Sequence, residues 1–258
     1  MEKKCDTVRS VEKALDIVLA FTEDKPQLSL LEICKFLNMP KSTVYRLIST
    51  LENKGFIEHN GVTGRYQLGT RFIKLSNIVL KNFNLKETAL PVMIDLRDET
   101  GETINLYAKK DLDRVCIEQV EGFHHLRRFS AIGDLLPLYC GASGKLLLAY
   151  QPEDEIKRVI KETGLKAWTA KTITDLEAIM QELENIRKAG YAFSNGEREV
   201  GVTSVAAPIR NHNGSVIAAI SISGPDSRFT EENIKKYISL VITSANEISQ
   251  NLGYTKQK

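Results

Sequence analysis

The first 56 residues carry three runs whose apolar positions recur with helical spacing. In the first, about Arg9 to Thr22, Val11, Ala14, Leu15, Val18 and Leu19 share one face. The segment "EDKP" at Glu23–Pro26 breaks it. The second begins at Ser29, with Glu32 three positions on as the partner in a capping box. Leu30, Ile33 and Leu37 form its stripe. After the short turn "NMP" the third run carries Val44, Leu47, Ile48 and Leu51 at i, i+3, i+4, i+7. Pro40 suits the start of that helix and Gly55 its end.

The pattern then changes period. "FIEHNGVTGRYQLG" (56–69) alternates on both sides of Asn60-Gly61, with Gly64 as a second turn residue, which predicts a β-hairpin. Three helices with a tight turn between the second and third, followed by a hairpin, predict a winged helix-turn-helix. "TRFIKLSNIVLKNFN" (70–84) returns to helical spacing, with Phe72, Leu75, Val79 and Phe83 on one face. It is expected to be a linker helix that also pairs subunits.

From about residue 86, helix and strand patterns alternate. A helix ending at Gly101 precedes the strands "TINLYAKK" and "DRVCIEQVEG", which flank a polar turn at Lys110–Asp113. The stretch 144–164 is mostly helical. Thr174 and Glu177 are expected to cap a helix that ends at Gly190. The strands "YAFSN", "TSVAAPIR" and "SVIAAISISG" follow, the last two joined by the turn "NHNG". A final helix from Thr230 carries Ile234, Tyr237, Ile238, Val241, Ala245, Ile248 and Leu252 on one side, and Gly253 stops it. The fold class is α+β with an antiparallel sheet. The boundaries read as 1–69, 70–85 and 86–258.

Composition narrows the class. Of 258 residues, 42% are apolar and 26% charged, as in a globular protein. No apolar run nears the roughly 18 residues of a membrane span. "MEKKCDTVRS" lacks the apolar core of a secretory signal. Four scattered cysteines (Cys5, Cys34, Cys116, Cys140) make neither a zinc motif nor a disulfide framework, so a reducing cytoplasm is the expected home. Residues 1–86 hold 14 Lys+Arg against 9 Asp+Glu, whereas the remainder holds 21 against 24. A basic N-terminal third suits nucleic acid.

Third-helix chemistry agrees with that. Opposite its apolar stripe lie Ser42, Tyr45, Arg46 and Ser49, short hydroxyls and one cation rather than the Glu and Lys of an ordinary solvated face. Such groups suit phosphates and base edges. With Lys41 and Thr43 at the helix start, Arg9 on the first helix and Arg65 in the wing, they make the predicted DNA face.

Two stretches in the second half could hold a small molecule. "CGASGKLL" (140–147) places small residues at a helix start, where open N–H groups attract carboxylate or phosphate. It is no P-loop, since Tyr139 stands where the first glycine belongs and Leu146 follows Lys145. It is no nucleophile elbow, since Lys145 replaces the second glycine. Tight packing of the helix on the sheet would explain the small residues equally well. In "AAISISGP" (218–225), Ser221 and Ser223 point to one face and Ile220 and Ile222 to the other, with Ser204 on the expected partner strand. These hydroxyls read either as a polar floor for a ligand or as the wet side of a sheet. No paired metal ligands and no nucleophile with a nearby base can be named, so no metal, no cofactor and no catalytic residue is expected.

Six stretches in this order, "PKSTVYRLISTLENKGFI", "GRYQLGTRF", "LRDETGETINLY", "LPLYCGASGKLLLA", "GYAFSNGEREVGVTSVAAPI" and "AAISISGP", resemble the isocitrate lyase regulator (IclR) family of bacterial transcription factors. The resemblance covers nearly the whole chain. It implies an N-terminal winged helix-turn-helix, a linker helix and a GAF-like effector domain. It also implies homodimers that often pair into tetramers, and small organic acids as effectors. In such proteins amides at the positions of Ala142 and Ser143 meet the effector's carboxylate, and Ser194, Ser204, Ser221 and Ser223 stand at pocket positions. Some relatives carry an acidic residue at the place of Ser194 and some a cysteine at that of Ser204, so the effector's identity does not transfer. Hydroxyls around an anion site hint at a sugar acid. The expectation is therefore a cytoplasmic regulator, a repressor of a catabolic operon that binds double-stranded operator DNA. The rival is a small-acid-processing enzyme with an N-terminal assembly domain.

Overall fold

The computed structural model describes residues 7–22, 24–75, 85–126 and 130–255. They form two compact units, Met1–Phe83 and Asn84–Lys258.

In the first unit, α1 is Arg9–Leu19, α2 Leu30–Leu37 and α3 Lys41–Asn53. The capping box of α2 is formed: Ser29 N donates to Glu32 Oε2 at 2.7 Å, and Glu32 N donates to Ser29 Oγ at 3.3 Å. Asn38 ends α2 in a left-handed conformation, φ 50°, and turns the chain sharply towards α3. Pro40 occupies the N-cap of α3. Gly55, at φ 74°, lets the N–H groups of Gly55 and Phe56 return to the carbonyls of Glu52 and Leu51.

The hairpin consists of β2 (Ile57–Asn60) and β3 (Arg65–Leu68), in register Asn60 to Arg65. A short strand that periodicity did not predict, β1 (Gln27–Leu28), pairs with β3 in the order β1-β3-β2. Two residues are too few to show alternation. Ile17, Ile33, Val44, Ile48 and Ile57 form the core of this unit.

The stripe read on α1 shares one face, with Val11, Ala14, Leu15 and Val18 along a single groove, but that face is mostly uncovered. Val11, Leu15 and Leu19 are exposed, Leu19 at 73%, and Ile17 is the position sealed in the core. An amphipathic pattern shows which residues share a face but not what covers that face. Residues 71–75 are helical. The rest of the expected linker helix, 76–84, lies outside the described residues.

The second unit is a six-stranded antiparallel sheet, order β6-β5-β4-β9-β8-β7. Its strands are β4 (Thr103–Lys110), β5 (Asp113–Val120), β6 (Leu135–Pro137), β7 (Ala192–Asn195), β8 (Val202–Arg210) and β9 (Val216–Pro225). Helices α4 (Leu85–Thr100) and α8 (Glu231–Asn251) pack on one face, against Ile104, Leu106, Val205, Ile220 and Ile222. Helices α5 (Ala142–Ala149), α6 (Glu153–Thr163) and α7 (Leu176–Ala189) share the opposite core with Tyr107, Cys116, Ala206 and Ala219. The helical stretch 144–164 thus breaks in two at Pro152, the N-cap of α6.

The expected Thr174 cap is also corrected. Asp175 is the N-cap of α7, and its Oδ1 accepts from Ala178 N at 2.8 Å. Asp competes strongly for a cap position, and its carboxylate gains from the helix dipole. No helix among the described residues is long and apolar enough to cross a membrane.

Candidate effector cleft and DNA-binding face

Strand register assembles the cleft floor. Ser194 on β7 faces Ser204 on β8, which faces Ser223 on β9, which faces Thr103 on β4. One step along, Ser221 lies opposite Asn105. Alternation sends Ile220 and Ile222 to the other core, so the hydroxyls look towards α5. Both serines of β9 are buried, which sets aside the wet-sheet alternative. Asn105 Nδ2 donates to Ser223 Oγ at 3.0 Å.

Above this floor stands the start of α5. Its N-cap, Gly141, has no side chain to satisfy the first N–H groups, and Ala142 and Ser143 line the cleft. Arg114 runs beneath that helix end at 4% exposure. Its Nη1 donates to the carbonyls of Pro137 and Cys140, and its guanidinium stands 5.2 Å from the ring centre of Tyr107. A Cβ on Gly144 would meet that guanidinium and lie 2.8 Å from the carbonyl oxygens of Pro137 and Leu138. Gly144 therefore provides close packing, while Ala142 and Ser143 line the cleft.

Asn105, Tyr107, Arg114, Leu136, Arg198, Glu199 and Val202 complete a lining whose empty volume is about 440 Å³, its mouth included. The residues that sequence reasoning missed are the polar ones of this set. A signal existed. Arg114 falls in phase with buried Cys116 in "DRVCIEQV", and Asn105 lies between Thr103 and Tyr107 on the same face. Two guanidiniums and the positive end of α5, set against the one carboxylate of Glu199, favour a small anion.

The rim is anchored from inside. Lys145 has a side chain only 2% exposed, and its Nζ lies 2.6 Å from Glu182 Oε1 and 2.6 Å from Glu197 Oε1. The other oxygen of Glu197 accepts from Gly141 N at 3.0 Å. Thr172 Oγ1 donates to the carbonyl of Glu197 at 2.6 Å. Glu197 so fixes the segment that carries Arg198 and Glu199 over the cleft. Burial pushes the thiols of Cys116 and Cys140 up to about 11, which leaves neither a nucleophile near neutral pH. Among the described residues no cluster of His, Cys, Asp and Glu could hold a metal.

On the first unit, α3 buries Val44 and Ile48 and leaves Lys41, Ser42, Tyr45 and Arg46 exposed, with Thr43 and Ser49 half-buried. Arg9 is exposed at the first turn of α1. Arg65 is held within the domain: its Nη1 donates to Gln27 O at 3.0 Å and lies 3.3 Å from Glu32 Oε2. Backbone and side-chain hydrogen bonds from Ser29, then the Arg65 charge, hold the Glu32 carboxyl below its ordinary range.

A winged helix-turn-helix joined to a sheet domain with an anion-suited cleft defines the class of ligand-responsive transcription regulators. The comparisons give the family. Residues 10–61 match the IclR helix-turn-helix domain, and residues 77–250 match the C-terminal domain of bacterial transcriptional regulator IclR. The chain belongs to the IclR family.

It is 35% identical to the HTH-type transcriptional regulator KdgR of Escherichia coli over 98% of this chain and 96% of that one. Identity to the transcriptional repressor IclR of Escherichia coli is 30%, over 95% and 90%. The crystal structure of Thermotoga maritima IclR is 38% identical, with TM-score 0.64 over 95% of this chain and 99% of that chain. These relatives are regulators, not enzymes, so the enzyme alternative falls. The protein is a DNA-binding, ligand-responsive transcription regulator.

Proposed function

We propose that the protein represses a catabolic operon in the cytoplasm and that a small organic acid bound in the second unit changes its affinity for operator DNA. The observation that carries this reading is the start of α5, whose Ala142 and Ser143 face a row of serines beside the buried Arg114. The acid's carboxylate meets the two amides. Ser194, Ser204, Ser221 and Ser223 take its hydroxyl or keto oxygens, which suits a sugar acid.

The DNA face is Lys41, Ser42, Thr43, Tyr45, Arg46 and Ser49 on α3, supported by Arg9. Repressor function rests on similarity to the repressor IclR of Escherichia coli. The protein acts as a homodimer, with tetramers as a further assembly. The exposed Val11, Leu15 and Leu19 of α1 supply apolar surface for pairing alongside the linker segment 70–85.

A thermal-shift screen of organic acids tests the reading, since a ligand that binds the folded state raises the melting temperature by mass action. Any acid that stabilises the protein should also change its affinity for operator DNA. A broad panel without a single stabilising acid would overturn it.

A further inference from the structure

The wing raises a question about how it meets DNA. Between Ile57 and Leu68, Arg65 is the only Lys or Arg. Its guanidinium is turned back onto the domain, towards the carbonyl of Gln27 at 3.0 Å and Glu32 Oε2 at 3.3 Å. That same oxygen accepts from Ser29 N at 2.7 Å to cap α2. One carboxylate oxygen therefore serves the first helix of the helix-turn-helix and the base of the wing together. Gln27 reinforces the junction: its Nε2 donates to Gln67 Oε1 at 3.0 Å, and the two residues are paired in the sheet.

The tip beyond this junction, residues 61–64, has no charged side chain. Asn60 Oδ1 accepts from the N–H groups of Val62 and Thr63, and Asn60 O accepts from Gly64 N. Val62 projects from that closed turn at 96% exposure.

We propose that Arg65 is a positioning residue rather than a phosphate contact: it sets the angle between wing and α2, and the wing meets DNA with its uncharged tip around Val62. Apolar side chains do pack in minor grooves, and such a contact releases no counterions. The proposal rests on the DNA-binding reading of α3 and the wing.

Salt dependence separates the two roles without knowledge of the operator. Full-length protein would be titrated with a random-sequence 30-base-pair duplex at several salt concentrations, as wild type, Arg65→Ala and Glu32→Gln. Gln preserves the cap, because its carbonyl oxygen also accepts from Ser29 N. It weakens only the hold on Arg65.

The expected result is a loss of about two- to fivefold for both variants at every salt concentration, the scale of an exposed ion pair, with the wild-type slope retained. A slope lower by about 0.9 per arginine removed in Arg65→Ala, with Glu32→Gln unchanged, would make Arg65 a phosphate contact and overturn the proposal. Undiminished affinity in Arg65→Ala would overturn it as well. If Arg65→Ala fails to fold, Glu32→Gln decides, since a phosphate-bound Arg65 predicts no loss from it. Wild-type protein that binds the duplex with no salt dependence would remove the DNA-binding reading itself, and the proposal with it.

Discussion

Lys145 Nζ lies 2.6 Å from Glu197 Oε1, and the second oxygen of that carboxylate accepts from Gly141 N at the start of α5. One buried carboxylate thus ties the rim of the cleft to the helix end that faces the ligand. Lys145 also meets Glu182 on α7 and the carbonyl of Phe193 on β7. Two carboxylates and one backbone carbonyl converge on one ammonium.

Removing that ammonium strands two carboxylates, one of them deeply buried. Lys145→Ala should destabilise the protein by about 3 kcal/mol, at the lower end for a broken buried pair because Glu182 retains some solvent. Urea denaturation measures it. Changing Lys145 and Glu197 together to apolar residues should recover much of the loss; a double variant as unstable as the sum of the singles would contradict the pairing.

Arg46 is the exposed cation at the centre of the α3 face. If it meets a phosphate, Arg46→Ala should weaken binding to all sequences and lower the salt slope by about 1. If it reads a guanine, the loss should be about 1–3 kcal/mol and confined to one base position. Operator titrations at several salt concentrations decide between the two, and unchanged affinity would take Arg46 off the interface.

For the cleft, Ser221→Ala should weaken binding of a stabilising acid by about 0.5–1.5 kcal/mol, the worth of a neutral hydrogen bond. Calorimetry on the full-length protein gives the number. By linkage, operator DNA must change the acid's affinity by the same factor by which the acid changes DNA affinity. Wild-type acid affinity in Ser221→Ala would move the ligand away from β9.

Glu155 gives a pH signature. Hydrogen bonds from Arg158 and then Lys109 hold its carboxyl down to about 2, from an ordinary 4.5. A carboxyl depressed in the folded state adds stability that is complete above its unfolded pKa and lost as pH falls through its folded one. The contribution should therefore shrink from about pH 4.5 to about pH 2. Melting temperatures of wild type and Glu155→Gln should differ at pH 7 and converge near pH 2. A gap that stays constant over that range would remove Glu155 from the acid response.

Local pattern carried most of the first unit. The helical period of α2 and α3, the Ser29–Glu32 box and the Asn60-Gly61 turn are short-range properties, because caps and turns are made by residues a few positions apart. The serine pair of β9 was equally legible, since a period of two puts Ser221 and Ser223 on one face in any strand.

What needed the folded chain was everything set by partners far along it. Whether the α1 stripe is covered depends on what packs there, and Val11, Leu15 and Leu19 are left outside. The hairpin pattern put Arg65 in the wing, and only the pairing of β1 with β3 brings Gln27 and Glu32 to it. The row Ser194, Ser204, Ser223 exists because three strands register side by side, and Arg114 reaches α5 only through the order β6-β5-β4. Sequence alone determined most of the longer elements and the faces they present, while the short strands β1 and β6 and the break at Pro152 needed the fold. Tertiary structure decided which faces meet, because hydrogen bonds and burial act between neighbours in space, wherever those neighbours lie in the chain.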